Sequence, residues 1–327
     1  MSSLLSNFEH IFPEVIFDAV ETLGGRCTGR FLTLNAMENR VYAIEMEDGS
    51  QRVIKFYRPG RWSREVIQVE HDFLRSLEEN EIPVVRPMAN AQGHTLFETN
   101  NVYFAVFPKR PGRLEPELRP EQLKRLGRFL ARLHNVGSSY RQTPRVRLSP
   151  TTYGRESMRF IVDEKLLPDA LRPRYEGLVN QICDHIEPFF NNVEYVLLHG
   201  DCHSGNILWS GDEPYFIDFD DMVYAPPVQD CWMLTGADDS YGMEMRNQLL
   251  DAYEEIRPFD HATLKLIEPL RALRMIYFAA WIGRRREDGA FKMAFPAFGT
   301  ERYWQEQIEG LAVQFEKIAY RENYQYQ

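Results

Sequence analysis

A chain of 327 residues has room for two packed lobes, and 44% apolar with 26% charged residues describes an ordinary globular fold rather than a disordered or fibrous one. Its 48 acidic and 38 basic side chains leave a formal net charge of −10, which argues against a dedicated binder of nucleic acid or of an anionic membrane surface, since those are usually basic, while leaving room for a local basic pocket. Cys27, Cys183, Cys202 and Cys231 lie far apart with no CxxC pair, which argues against a disulfide frame or a zinc site and for a reducing cytoplasm.

The first ten residues carry neither a basic stretch nor a long apolar one, so no secretory leader is expected. Residues 13–23 read as a helix with Pro13 in its first turn and Gly24-Gly25 as its stop. Strands follow at 30–35, 40–45 and 52–57, the last two joined across Asp48-Gly49, a hairpin signal. A helix is expected over 64–79 and strands over 84–87 and 102–107. Pro108-Lys-Arg-Pro-Gly112 breaks the pattern. From Pro120 onward the chain reads as helical, apart from short strands near 195–198, 207–209 and 215–217. The longest apolar stretch, 275–282, is too short to span a bilayer and reads as a core helix. The organisation expected is α+β: a small β-rich lobe over 1–107 with an N-terminal helix, a hinge at 108–112, and a larger helical lobe over 113–327. Ligands favour the cleft between two such lobes.

The chemistry concentrates in His199-Gly-Asp201-Cys-His-Ser-Gly-Asn206 and in Phe216-Ile-Asp218-Phe-Asp-Asp221. An Asp, an Asn five positions on and a second Asp at the end of an apolar strand form the arrangement of a phosphoryl-transfer site. Asp201 is the candidate proton acceptor for an alcohol. Such a carboxylate orients the hydroxyl and takes its proton as the P–O bond forms. Asn206 and Asp218 supply hard oxygen ligands for Mg2+, which takes one or two from protein and the rest from ATP and water. In Val53-Ile-Lys55-Phe-Tyr57, Lys55 shares a strand face with Val53 and Tyr57. Glu70 falls on the apolar stripe Ile67, Leu74, Leu77 of the 64–79 helix, and a buried carboxylate needs a partner. Lys55 is that partner, and the pair is what presents an ammonium to the α- and β-phosphates in kinases.

The departures from a regulated protein kinase are as informative. Gly200 stands where those enzymes carry Arg, Asp218-Phe-Asp-Asp replaces Asp-Phe-Gly, and the segment from Asp221 to Pro227 is too short for a regulated activation loop. Constitutive competence is expected. No GxGxxG exists, so the turn Asn35-Ala-Met-Glu-Asn39 has to cradle phosphates with backbone amides alone. Asp230 is expected to open a helix and brace the catalytic loop, Cys202 to fill space beside the base, and His203 to stabilise the loop. The basic run from Arg58 to Arg64 reads either as an attractor of phosphate or as a solvated helix start, and Arg284-Arg285-Arg286 as a helix C-terminal cap.

Leu198-His-Gly-Asp-Cys-His-Ser-Gly-Asn-Ile-Leu-Trp209 and Gly127-Arg-Phe-Leu-Ala-Arg-Leu-His134 resemble the aminoglycoside phosphotransferase and choline kinase superfamily. Within it, Glu38-Asn-Arg-Val-Tyr42, the segment from Val53 to Trp62 and Ile267-Glu-Pro-Leu-Arg-Ala-Leu-Arg274 resemble the bacterial stress response kinase A family. The resemblance implies a bilobal protein-kinase-like fold and a cytoplasmic, monomeric serine/threonine protein kinase acting in stress responses. It implies ATP as co-substrate, Mg2+ as cofactor, protein substrates with Ser or Thr acceptors, and no nucleic-acid or membrane partner. Carried over by residue, Asp201 is the proton acceptor, Asn206 and Asp218 bind the metal, and Asp218 belongs to the active site. The nucleotide-contact position in the first turn, a serine in some members, is Ala36 here, so a hydroxyl is lost there. The residues themselves leave the acceptor open between a protein and a small alcohol of the aminoglycoside, choline or homoserine type. A non-catalytic nucleotide-binding scaffold is the third reading, opposed by the intact Lys55, Glu70, Asp201, Asn206 and Asp218.

Overall fold

Turn chemistry and strand alternation build the first lobe in the computed structural model, which describes residues 8–236 and 240–324. α1 (Pro13–Glu21) leads into a meander of β1 (Cys27–Thr33), β2 (Arg40–Met46) and β3 (Gln51–Phe56). At the hairpin between β2 and β3, Gly49 takes a φ of +82°, and Ser50 N donates to Asp48 Oδ1 at 2.8 Å. β4 (Phe97–Thr99) and β5 (Val102–Pro108) complete an antiparallel sheet in the order β1-β2-β3-β5-β4. Ile16, Ala19 and Val20 of α1 pack on Ile44, Ile54, Phe56 and Phe104 of one face. On β3, Lys55 pairs in register with Val41 of β2 and Ala105 of β5.

α2 (Arg64–Glu79) begins where expected because Ser63 caps it, its hydroxyl accepting from Val66 N at 3.4 Å. Ile67, Leu74 and Leu77 are buried along its inner face, and Glu70 lies among them with 1% exposure. The strand expected over 84–87 does not form. Pro83 and Pro87 flank it without N–H groups, and only an isolated parallel bridge, Val84 to Phe216, joins it to the second lobe.

β6 (Arg113–Leu114) follows 108–112 and pairs with one later strand, over Leu208 and Trp209. In the second lobe, α3 (Pro120–Gly137), α4 (Glu156–Asp163) and α5 (Arg172–Ile186) precede β7 (Val196–Leu198), β8 (Ile207–Ser210), β9 (Glu213–Phe216) and β10 (Val223–Ala225). β6, β8 and β9 form one small sheet and β7 with β10 another. α6 (Val228–Thr235), α7 (Ser240–Glu254), α8 (Ile267–Gly283), α9 (Gly289–Ala294) and α10 (Glu301–Tyr324) complete the lobe. α3 packs against β7 and α7. A Cβ on Gly137 would stand 1.9 Å from Leu197 O, and one on Gly127 2.2 Å from Leu249 O, so both glycines set how closely α3 seats against β7 and α7. The apolar stretch 275–282 lies within α8, with Ile276, Ala279, Ala280 and Ile282 buried. Among the described residues no helix is long and apolar enough to cross a membrane.

Candidate active site

The loop after β7 is held by a carboxylate at the start of α6. His199 N donates to Asp230 Oδ2 at 3.0 Å and Gly200 N to Asp230 Oδ1 at 2.9 Å. His134 Nε2, on α3, lies 3.2 Å from the same Oδ2 and fixes the brace from behind. Asp230 is fully buried, the environment in which such charge-assisted bonds are strong. The loop is also tied to the segment carrying Asp218, because His199 Nε2 meets Ile217 O at 2.9 Å and its ring packs on Phe219, centroids 4.5 Å apart. Gly200 takes a φ of +83°, and a Cβ there would lie 2.4 Å from Asp221 O. Only glycine fits between the two loops. Cys202 is buried, and burial pushes its thiol up, which makes it an inert filler rather than a redox group.

Asp201 and Asn206 come together in this loop. Asn206 Nδ2 donates to Asp201 O at 2.9 Å, which commits its nitrogen and leaves the amide oxygen as the available ligand. Asp201 Oδ2 stands 3.5 Å from His203 Nε2, while His203 Nδ1 accepts from Gly205 N at 3.0 Å and shapes the turn. Oδ1 meets Arg274 Nη2 at 2.8 Å as an ion pair, yet receives no aligned hydrogen bond. Burial alone would raise the Asp201 pKa, but the His203 and Arg274 contacts outweigh it and hold the carboxyl well below the usual carboxylate range. The result is a carboxylate held in its ionised form.

Across the cleft, Lys55 Nζ lies 3.2 Å from Asp220 Oδ1, 3.3 Å from Asp218 Oδ1 and 3.6 Å from Glu70 Oε1, above the ring of Tyr57. Burial opposes its charge, but Asp220, Glu70 and Asp218 hold the ammonium well above its ordinary pKa. Arg145, from the connection after α3, donates Nη1 to Asp220 O at 2.8 Å and reaches Glu70 Oε2 with Nη2 at 3.4 Å. Arg61 bonds both Asp220 and Asp221, and Asn39 Nδ2 donates to Asp220 Oδ2 at 3.2 Å. Three cations thus face four carboxylates, and the negative charge left over suits a divalent cation. Asp218 is the exposed member, with 55% of its side chain accessible and its backbone in the left-handed region at φ 59°, a strain found at functional positions. Among the described residues no three His, Cys, Asp or Glu side chains converge as a metal cluster. One carboxylate and one amide, Asp218 and Asn206, are the sparse set that Mg2+ tolerates when phosphate and water fill the remaining positions.

The turn between β1 and β2 holds Ala36, half-buried, and is pinned by Glu38 and Asn39. Glu38 meets Arg58 Nε at 2.9 Å and Arg285 Nε at 2.6 Å and accepts from Trp281 Nε1 at 2.8 Å. Asn39 Oδ1 accepts from Arg58 N at 3.0 Å. Arg58 also bonds Asp288. Within the basic run, Arg58 and Arg61 are neither solvated nor free to attract phosphate, because both are buried in ion pairs that reach the second lobe, while Arg64 stands exposed at the start of α2. Arg285 does more than cap α8, since it carries one of the bonds to Glu38. Sequence reasoning missed Glu38, Asn39, Arg61, Arg145, Asp220 and Arg274 as parts of the site. Only Asp220 gave a signal, as one of the three acids clustered just after β9 in Phe216-Ile-Asp218-Phe-Asp-Asp221.

The sequence matches the model of the phosphotransferase enzyme family over residues 32–267. Stress response kinase A of Escherichia coli (strain K12) is 38% identical over 305 residues, 93% of this chain and 92% of that protein. A protein of Salmonella typhimurium named serine/threonine protein kinase RdoA is 38% identical over 92% of this chain and 91% of its own length. Among solved structures, amicoumacin kinase hAmiN in complex with AMP-PNP, Ca2+ and Ami superposes with a TM-score of 0.71 over 91% of this chain and 93% of that one. At 22% identity that likeness speaks for the protein-kinase-like fold alone.

Proposed function

Because the chain belongs to the phosphotransferase enzyme family and is a homologue of stress response kinase A, we propose that it is an ATP- and Mg2+-dependent serine/threonine protein kinase of a bacterial stress response. Lys55, steadied by Glu70, meets the α- and β-phosphates, and the turn with Ala36 covers them with backbone amides. Asn206 and Asp218 hold Mg2+, which when bound neutralises charge developing on the transferred phosphoryl group. Asp201 orients the acceptor hydroxyl and takes its proton as the new P–O bond forms. The segment 108–112 is the hinge, and the protein acts as a cytoplasmic monomer. Pairing of β10 with β7 immobilises the segment after Asp221, which supports constitutive competence.

The observation that carries this reading is the ionised Asp201, held by Arg274 and His203, in the cleft that also holds the Lys55 cluster. The protein-acceptor assignment draws on the name of the Salmonella homologue, a serine/threonine protein kinase. The test is incubation with labelled ATP and Mg2+, one reaction with myelin basic protein and another with a panel of small alcohols, followed by phosphoamino-acid analysis. Phosphoserine or phosphothreonine on protein is expected. Label on the small alcohols alone would overturn the protein-kinase reading in favour of a small-molecule kinase.

A further inference from the structure

The acceptor side of Asp201 is walled by α8. Arg274 projects from it, with Nη2 2.8 Å from Asp201 Oδ1 and Nη1 3.9 Å from Met233 Sδ. The guanidinium carries five donors in one plane, these contacts engage two of its nitrogens, and the side chain keeps 43% exposure. The helix beneath is held in place, because Tyr277 stacks on Tyr153 with centroids 4.3 Å apart. His203, 42% exposed, stands on the other side of the same carboxylate. A cation beside the base disfavours a polycationic acceptor and favours an anionic one.

Resting on the kinase reading above, we propose that Arg274 determines acceptor specificity: it binds an anionic group next to the accepting hydroxyl while orienting Asp201, so the preferred acceptor is a Ser or Thr flanked by an acidic or phosphorylated residue. A second feature fits an acceptor of peptide length. A cavity of about 300 Å³, lined by Glu117, Leu118, Ser204, Leu234, Tyr241 and Met245, opens beside the catalytic loop. Ser204 follows His203, so the cavity opens beside the turn that flanks Asp201. An extended peptide reaches both places, whereas a small alcohol has no use for the second.

Matched peptides test the proposal, each with one Ser acceptor flanked by Glu, phosphoserine, Ala or Lys. For the unmodified protein, kcat/KM with Glu or phosphoserine is expected to exceed that with Ala by about tenfold, and Lys to fall below Ala. The faster of the two anionic peptides identifies carboxylate or phosphate as the group read. Arg274→Glu should invert the order in favour of Lys, and Arg274→Lys should keep the original order with a smaller spread. A merely structural Arg274 would lower all four peptides by one common factor. ATP hydrolysis with water as acceptor is measured in the same samples. Hydrolysis with a flat peptide order, or an order untouched by Arg274→Glu, overturns the specificity proposal and leaves the kinase reading standing. Absence of both hydrolysis and transfer overturns the two together.

Discussion

Gly200→Ala adds a single methyl group where two loops of the site touch. In the native backbone that carbon would lie 2.4 Å from Asp221 O and 2.9 Å from Val223 Cγ1, while ordinary contact begins at 3.4 Å. The loops must therefore separate by about 1 Å. Asp230 holds the amides of His199 and Gly200, so the segment carrying Asp218 to Asp221 is the one that yields. The left-handed backbone at φ +83° adds roughly 1–2 kcal/mol for a residue with a Cβ, and overpacking adds roughly 1–3 kcal/mol. A displacement of 1 Å at a reacting centre costs about 10²-fold in rate. The expected outcome is a folded variant destabilised by about 2–5 kcal/mol in urea, with kcat down by about two orders of magnitude and a weaker affinity for Mg·ATP. Native kcat together with a native unfolding midpoint would refute the claim that Gly200 sets the spacing of the two loops.

Asp218→Ala should abolish Mg2+-dependent nucleotide binding, and calorimetry with undiminished Mg·ATP affinity would count against Asp218 as a metal ligand. Asp230→Ala leaves two buried backbone N–H groups and His134 without their acceptor, and should cost about 3–5 kcal/mol in urea unfolding; a loss below about 1 kcal/mol would show that the brace is dispensable. Burial, with Lys55 and Arg145 nearby, pushes His71 down to about 3 from 6.5. Unfolded His71 takes up its proton first as pH falls, so stability drops from pH 6.5 downward, by about 3 kcal/mol at pH 4.5. His71→Gln should flatten that part of the stability profile, and an unchanged slope would contradict the assignment.

Much of the site is legible because kinase chemistry constrains short stretches of sequence. The spacing among Asp201, Asn206 and Asp218 lies within one chain segment, and the stripe Ile67, Leu74, Leu77 betrays Glu70 by helical period. Ser63 marks the start of α2 by its capping chemistry, and Asp48-Gly49 marks the hairpin. The cations around that framework were hidden for a physical reason. Arg145 reaches Glu70 across 75 positions and Arg274 reaches Asp201 across 73, and no local pattern encodes pairings made by tertiary folding, the first between the two lobes and the second within the larger one. The two- and three-residue strands β4, β6 and β10 are too short for an alternation to register, and their hydrogen bonds depend on partners brought by the fold. The failed strand at 84–87 shows the converse: Val84-Val85 has strand propensity, but its prolines remove the donors that a ladder needs. The basic run at 58–64 misleads because charge suggests exposure, whereas Arg58 and Arg61 are buried by Glu38, Asp288, Asp220 and Asp221.

The central claim separates two jobs: Asp201 receives the proton, and the Lys55, Asn206 and Asp218 side of the cleft holds Mg·ATP. Single-turnover transfer from labelled ATP, measured on Asp201→Ala beside a calorimetric titration of the same variant with Mg·ATP, tests that separation directly. Transfer should fall by ~10²–10⁴-fold while nucleotide affinity stays within a few-fold of the unmodified protein. Unchanged transfer, or an affinity that collapses together with the rate, would contradict it.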